Sequence, residues 1–461
     1  MEKILTRYGD GTPVEMSVDD IRRDLEEGSE DAAERGRIPT LAKDELDHLF
    51  DIFSSPHRFI GVEPVKEVVL SYDGSPIKML RAQVNVDRLQ CLQIYEKLLG
   101  ADTLEMGHMD YSFKPIKPIV TYEQPLLEQV LSVTTAPVFY GAMPNLGLYS
   151  QPDGPFPNPS ELLPQGKIEE AMQSYEAAVE DAVDDIVYVS GAMYESGADA
   201  IILDTVGAAG DADFLAGLKA TAILKEKYPG ICIELGMAGE FVLGMHSELT
   251  WEGVRLAGLY AHEQVKLAEK AGVTIFGPVC NTNTSESTPW NMARAITFMK
   301  ACCEEATIPV HVNMGMGVGG MTVNDHPPLD VASRASKAMV EICRLVGLSV
   351  GVGDLMGMVV THSIASGMGG MRAAGDLVAR MQISRGMKIN EAKAYVAEKL
   401  KVAVSDLTDP VIMNEAREDL NLGLLHPHAG SPKCMEAKFN IAELLDIDIN
   451  CVNRFRERAS I

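Results

Sequence analysis

"DAIILDTVGAAGDADFLAGLKATAILKEKY" (residues 199–228) decides how the chain is read. Four apolar residues, Ala200 to Leu203, end at Asp204. A loop of small residues follows, and Asp211 opens a helical pattern that runs to Tyr228. A short apolar run without polar alternation is a strand buried on both faces. Such strands belong to parallel sheets covered by helices.

The same order recurs along the chain. Strands are expected at 102–107, 136–140, 199–204, 231–235, 273–277, 308–313 and 347–352. Helices are expected at 166–196, 211–228, 252–271, 289–305, 328–345 and 368–384. Strands alternating with helices imply a parallel sheet with right-handed crossovers. Seven strands and an eighth not placed predict an α/β fold, a (β/α)8 TIM barrel of about 250–300 residues. A doubly wound open sheet is the alternative. No GxGxxG follows the first strand, which disfavours a dinucleotide fold.

Upstream, "SVDDIRRDLEEG" (17–28) and "AKDELDHLFDIFSSP" (42–56) read as two helices. "KEVVLSYDGSPIKML" (66–80), within an expected β region at 61–82, has two apolar runs around Asp73-Gly74 and reads as a hairpin. The expected organisation is a leader (1–82), a barrel (83–387) and a small α-rich extension (388–461).

The net charge of −26 argues against a nucleic-acid binder, which needs a basic face. Solubility alone accounts for such a charge, and it also attracts cations or a basic partner surface. No apolar run reaches the roughly 20 residues that span a bilayer, and the first residues hold no long apolar signal region. A cytoplasmic protein is expected. The eight cysteines form no CxxC pair and read as reduced, mostly buried thiols.

In a barrel, chemistry collects at the C-terminal ends of the strands. Here those ends are long, polar and glycine-rich. Asp204, Glu234, Ser349 and Asp354 are the candidate catalytic positions. Tyr140, His108, Asn281, Asn313, Glu240 and His246 are candidate substrate contacts. Carboxylates outnumber bases, so the pocket suits a cationic substrate, a metal or acid/base work. No metal is expected; if zinc were bound, Glu234, His246 and Cys280 would be its ligands. Methionines 106, 143, 237, 245, 314, 316, 356 and 358 suggest a soft rim for a large apolar partner, or core filling.

These loops resemble a known family. "GADTLEMGHMDYSFKPIKPIV" (100–120), "FYGAMPNLGLY" (139–149), "AAGDAD" (208–213), "GMAGE" with "VLGMH" (236–246), "FGPVCNTNTS" (276–285), "GMGVGG" (315–320), "GVGD" with "MGM" (351–358) and "RAAGDLVARM" (372–381) resemble the dimethylamine:corrinoid methyltransferases. The resemblance runs over essentially the whole chain. It implies a TIM barrel that passes a methyl group to Co(I) of a corrinoid (cobalamin) carried by a separate protein, with no bound cofactor of its own. It also implies a homo-oligomer.

Relatives carry pyrrolysine in a strand reading Gly-Ile-pyrrolysine-Ile-Gly-Val-Gly-Asp. Alignment on Gly351-Val352-Gly353-Asp354 puts Ser349 there. Serine cannot form the imine adduct that is thought to activate the amine. No His or Lys lies beside it in sequence to make it a nucleophile. It leaves space instead. A quaternary ammonium already has a neutral amine as leaving group, and needs only alignment and a hold on its charge, which carboxylates with Tyr140, Phe139 or Tyr149 would supply. The expectation is pyrrolysine-independent transfer from a small N-methyl compound, a quaternary ammonium, to the corrinoid protein. The alternatives are zinc-dependent transfer from an alcohol or ether, and an inactive corrinoid-protein-binding scaffold.

Overall fold

The computed structural model describes residues 3–57, 60–61, 69–73, 87–96, 101, 103–107, 116–142, 146–203, 210–244, 247–280, 283–313, 328–343, 345–350, 389–400 and 403–404. The expected helix at 368–384 lies outside them, as does most of the expected C-terminal extension.

Eight strands form one parallel sheet. They are β3 (Val69–Asp73), β4 (Thr103–Met106), β5 (Val138–Gly141), β6 (Ala200–Leu203), β7 (Ile233–Ala238), β10 (Ile275–Pro278), β11 (His311–Asn313) and β12 (Gly347–Val350). The order across the sheet is β10-β7-β6-β5-β4-β3-β12-β11. Its two outermost strands meet in a parallel bridge, Phe276 with Val310, and the Phe276 amide donates to the Pro309 carbonyl at 2.9 Å.

All seven expected strands appear within a few residues of their expected limits. The eighth is β3, and here the sequence expectation needs correction. Val69–Asp73 is not one arm of a leader hairpin. It is flanked by β12 and β4, parallel to both, so its hydrogen-bonding edges are already taken. The expected leader boundary at 82 therefore leaves one strand of the sheet on the wrong side. The expected second arm lies outside the described residues.

Helices α3 (Arg88–Ile94), α4 (Ile116–Val133), α6 (Ile168–Glu195), α7 (Asp211–Lys227), α8 (Ala261–Ala271), α9 (Thr288–Glu305) and α10 (Leu329–Cys343) connect the strands, with α5 (Pro159–Leu162) a single short turn. The helix expected from 252 starts only at Ala261. Glu252 and Gly253 both take positive φ, 52° and 77°, and turn β8 (Thr250–Trp251) back onto β9 (Val254–Arg255). Positive φ at both central residues is the hairpin geometry that glycine favours.

The leader is docked on the helices. It opens with a hairpin, β1 (Lys3–Arg7) and β2 (Pro13–Ser17), which the sequence reading did not anticipate. Ser17 caps α1 (Val18–Gly36) by accepting the Asp20 amide at 3.1 Å. Helix α1 runs eight residues beyond Gly28, because Ile21, Leu25, Gly28, Ser29, Ala32 and Gly36 form one buried stripe. That stripe lies on α9: Thr297 donates to the Ser29 hydroxyl at 3.0 Å, and a Cβ at Gly28 would sit 2.2 Å from the Trp290 carbonyl oxygen. Backbone cannot yield as a side-chain tip can. Gly28→Ala is therefore expected to cost about 1–3 kcal/mol of stability, the range for overpacking. Denaturant unfolding checks it; an unchanged midpoint would mean that the two helices are not in this contact.

Helix α2 (Lys43–Ser54) packs on α10. No described helix is long and apolar enough to cross a membrane. Six cysteines fall in the described residues and none is in a disulfide; burial pushes Cys232 and Cys303 up to about 12.

Candidate active site

Strand alternation and register decide which side chains share the inner face of the sheet. Phe139, Ala200, Ile202, Cys232 and Ile275 form a small buried apolar cluster apart from the main core. Residues directly opposite on neighbouring strands point the same way. Glu105 pairs with Phe139, Phe139 with Ala200, Ile202 with Glu234, and Glu234 with Ile275. Glu105 and Glu234 thus belong to the inner face. One step along, Asn313 pairs with Ser349, Ser349 with Ser71, and Ser71 with Thr103. The opposite residues, such as Leu104, Tyr140, Ile201, Leu235 and Leu348, pack in the main core with the helices.

The inner face carries a buried ion pair. His311 Nδ1 lies 3.1 Å from Glu234 Oε1 and 3.3 Å from Oε2, and both residues are under a tenth exposed. Burial by itself pulls the His311 imidazolium down. The Glu234 carboxylate opposes this through charge and hydrogen bond, with a smaller contribution from the Leu348 backbone, and leaves His311 above its ordinary value. His311 Nε2 has no hydrogen-bond partner among the described residues, nor do the Ser71 and Thr103 hydroxyls. Gly277 leaves the carboxylate its room, since a Cβ there would stand 2.9 Å from Glu234 Oε1. Buried polar atoms without partners are rare, and their grouping on one face fits a site that takes a polar ligand.

Of the expected residues, the structure brings Glu234 and Asn313 to this face, with Ser349 at the register position between Asn313 and Ser71. Asp204, Asp354, His108, Asn281 and His246 lie outside the described residues, as does the Ser349 side chain. Two expected contacts are placed elsewhere. The Tyr140 hydroxyl donates to Glu123 Oε2 of α4 at 2.9 Å, and Arg88 of α3 pairs with the same carboxylate, so Tyr140 faces the helices. Tyr149 likewise donates to Asp185 of α6 at 2.5 Å, which leaves Phe139 as the inner-face aromatic.

Glu240 is fully buried and gripped by Arg294 of α9, with 3.0 Å between Nη1 and Oε2 and a second bond from Nη2. The Cys280 thiol donates to Glu240 Oε2 at 3.0 Å, and Arg294 Nε reaches Asp31 of α1 at 2.8 Å. Burial opposes the Arg294 charge, yet Glu240 and Asp31 hold it more firmly protonated than a free guanidinium. Glu240 ties the β7 loop to α9 and α1. Cys280 belongs to that tie, while Glu234 pairs with His311; among the described residues no three groups gather as a metal site would need. Met106, expected at the rim, is buried in the main core.

His311, Glu105, Ser71 and Thr103 were missed from the sequence. Their signal was available for three of them: in "TLEM" and "HVN", period-2 alternation puts Thr103 with Glu105, and His311 with Asn313.

A helix-covered parallel sheet whose inner face holds a carboxylate–imidazole pair among small polar residues is the arrangement of an α/β enzyme. The chain belongs to the dimethylamine methyltransferase family, whose model matches residues 2–458, and it is a methyltransferase. Among solved structures it is similar to the YdjI aldolase from Escherichia coli K12, at 8% identity over 73% of this chain and 91% of that one, with a TM-score of 0.31. It is also similar to Xanthomonas albilineans dihydropteroate synthase, at 14% identity over 66% and 90% of the two chains, with a TM-score of 0.32.

Proposed function

We propose that the chain moves a methyl group from a quaternary ammonium compound to the corrinoid of a separate protein without pyrrolysine. We read the eight strands as a (β/α)8 barrel, a reading that the isolated Phe276–Val310 bridge between the outermost strands supports. The observation that carries the reading is the charge of the inner face. None of the eight strands contains Lys or Arg. Asp73, Glu105 and Glu234 belong to the inner face by register, and His311 pairs with the last of them. The strands thus carry more acids than bases on this face, which with the Phe139 ring suits a cation.

Full ion pairing would bind the ground state more tightly than the transition state, because the nitrogen loses its positive charge as its methyl leaves. Acids of which Glu234 is already paired with His311 hold the cation with less of that penalty, and positioning does the rest. The N–CH3 bond breaks with its electrons on nitrogen, so the tertiary amine leaves neutral and needs no proton. The corrinoid supplies the Co(I) that accepts the methyl. The row Asn313, Ser349, Ser71 and Thr103 has only short side chains, which favours a bulkier donor than dimethylamine. The enzyme acts as a homo-oligomer in the cytoplasm.

The test is methylation of the partner's Co(I), followed by its absorbance, with tetramethylammonium, trimethylamine, dimethylamine, methanol and a methyl ether as donors. Turnover with the quaternary donor supports the reading. Turnover only with dimethylamine, or only with methanol or the ether, overturns it.

A further inference from the structure

Apart from the inner face, a cavity of about 350 Å³ is lined by Ser160, Leu163, Pro164, Tyr175, Asp211, Leu243, Gly244 and Ser247. Its acid is Asp211, the first residue of α7. The side chain is only 7% exposed, and Oδ2 has no hydrogen-bond partner among the described residues. The backbone holds it there. Gly210 takes φ 84°, a Cβ at that position would lie 2.4 Å from the Leu243 carbonyl oxygen, and the Asp211 amide donates to that oxygen at 2.8 Å. Gly244 keeps the other side open, since a Cβ there would come 2.8 Å from Asp211 Oδ2.

A buried carboxylate oxygen with nothing to accept from is costly unless a ligand completes it. Burial raises the Asp211 carboxyl above its ordinary value; a bond from Ser247, its own and Ala212's amides, and the Arg255 charge oppose this. Burial, with the charges of Asp211 and of buried Asp213, raises the Tyr175 phenol. The leucines and proline give apolar walls, Tyr175 an aromatic face, and Ser160 and Ser247 hydroxyls.

We propose that this cavity binds a substituted ammonium ion that also carries a polar group. Asp211 Oδ2 takes the cation, Tyr175 and the aliphatic walls take its alkyl groups, and the Ser160 hydroxyl takes the polar end. The site uses none of the inner-face residues, so it does not depend on which methyl donor the enzyme uses.

Choline is the probe, with 3,3-dimethylbutan-1-ol as its uncharged isostere, titrated by calorimetry into the full-length protein. Choline is expected to bind and the isostere to bind at least tenfold more weakly. Asp211→Asn is expected to weaken choline at least tenfold, while Glu234→Gln leaves this site's binding in place. Should Asp211→Asn fold poorly, Ser160→Trp serves: Ser160 is exposed, so the bulk narrows the cavity without touching the core. No choline binding to the wild type, equal binding of the isostere, or unchanged binding in both variants overturns the proposal. Loss in Glu234→Gln alone would assign the binding to the inner face and overturn it too.

Discussion

Glu234→Gln is expected to weaken binding of the cationic methyl donor and lower kcat/KM by about tenfold, the scale of losing one charged hydrogen-bonding partner. The same change should release His311. Glutamine can still bond the ring, but it carries no charge, so burial acts without its main opponent and the pKa of the imidazole falls. The sign of the pH effect on folding follows. A histidine whose pKa is raised in the folded state contributes stability fully below its unfolded value near 6.5, and that contribution disappears as pH rises through the folded value. Wild-type stability relative to Glu234→Gln should therefore be greatest below about pH 6.5 and shrink as pH increases. Denaturant midpoints of both proteins between pH 5.5 and 9, with an NMR titration of the His311 ring, measure this. Identical His311 titrations in the two proteins would remove the ion pair from the argument.

The second large effect is expected at Arg294. Arg294→Met leaves Glu240 fully buried without its cation, and breaking a buried pair from one side costs about 3–5 kcal/mol. Glu240→Gln with Arg294→Met should recover part of that loss, because no uncompensated charge remains. Glu240→Gln alone should lower the unfolding midpoint and leave KM for the methyl donor unchanged in the folded fraction. A raised KM at full stability would return Glu240 to the role of a substrate contact, as the sequence suggested.

Those two residues show where sequence reading reaches its limit. Glu234 and Glu240 look alike in "IELGMAGE": both are acids near one strand end. Their difference lies in partners far along the chain, His311 at 77 residues and Arg294 at 54. Tyr140 posed a related problem. Every residue of β5 is buried, so hydrophobicity along it does not alternate, and nothing local tells Tyr140 from Phe139. Register against β4 and β6 separates them.

The strand and helix rhythm was legible because it is local. Apolar runs, small-residue loops and helix starts are written in contiguous residues, and they placed seven strands and most described helices. The loop strings also carried the family. Pairing partners are not local. "VVLSYDG" has a hairpin's turn signal, yet Val69–Asp73 joins strands more than 30 and more than 270 residues away. Sequence alone thus determined seven of the eight strands of the sheet, most of the described helices and the family. Tertiary structure alone decided which buried acids meet a base, which face the helices and which, like Asp211, stand over a cavity, because a parallel sheet buries both faces and leaves that choice to long-range packing.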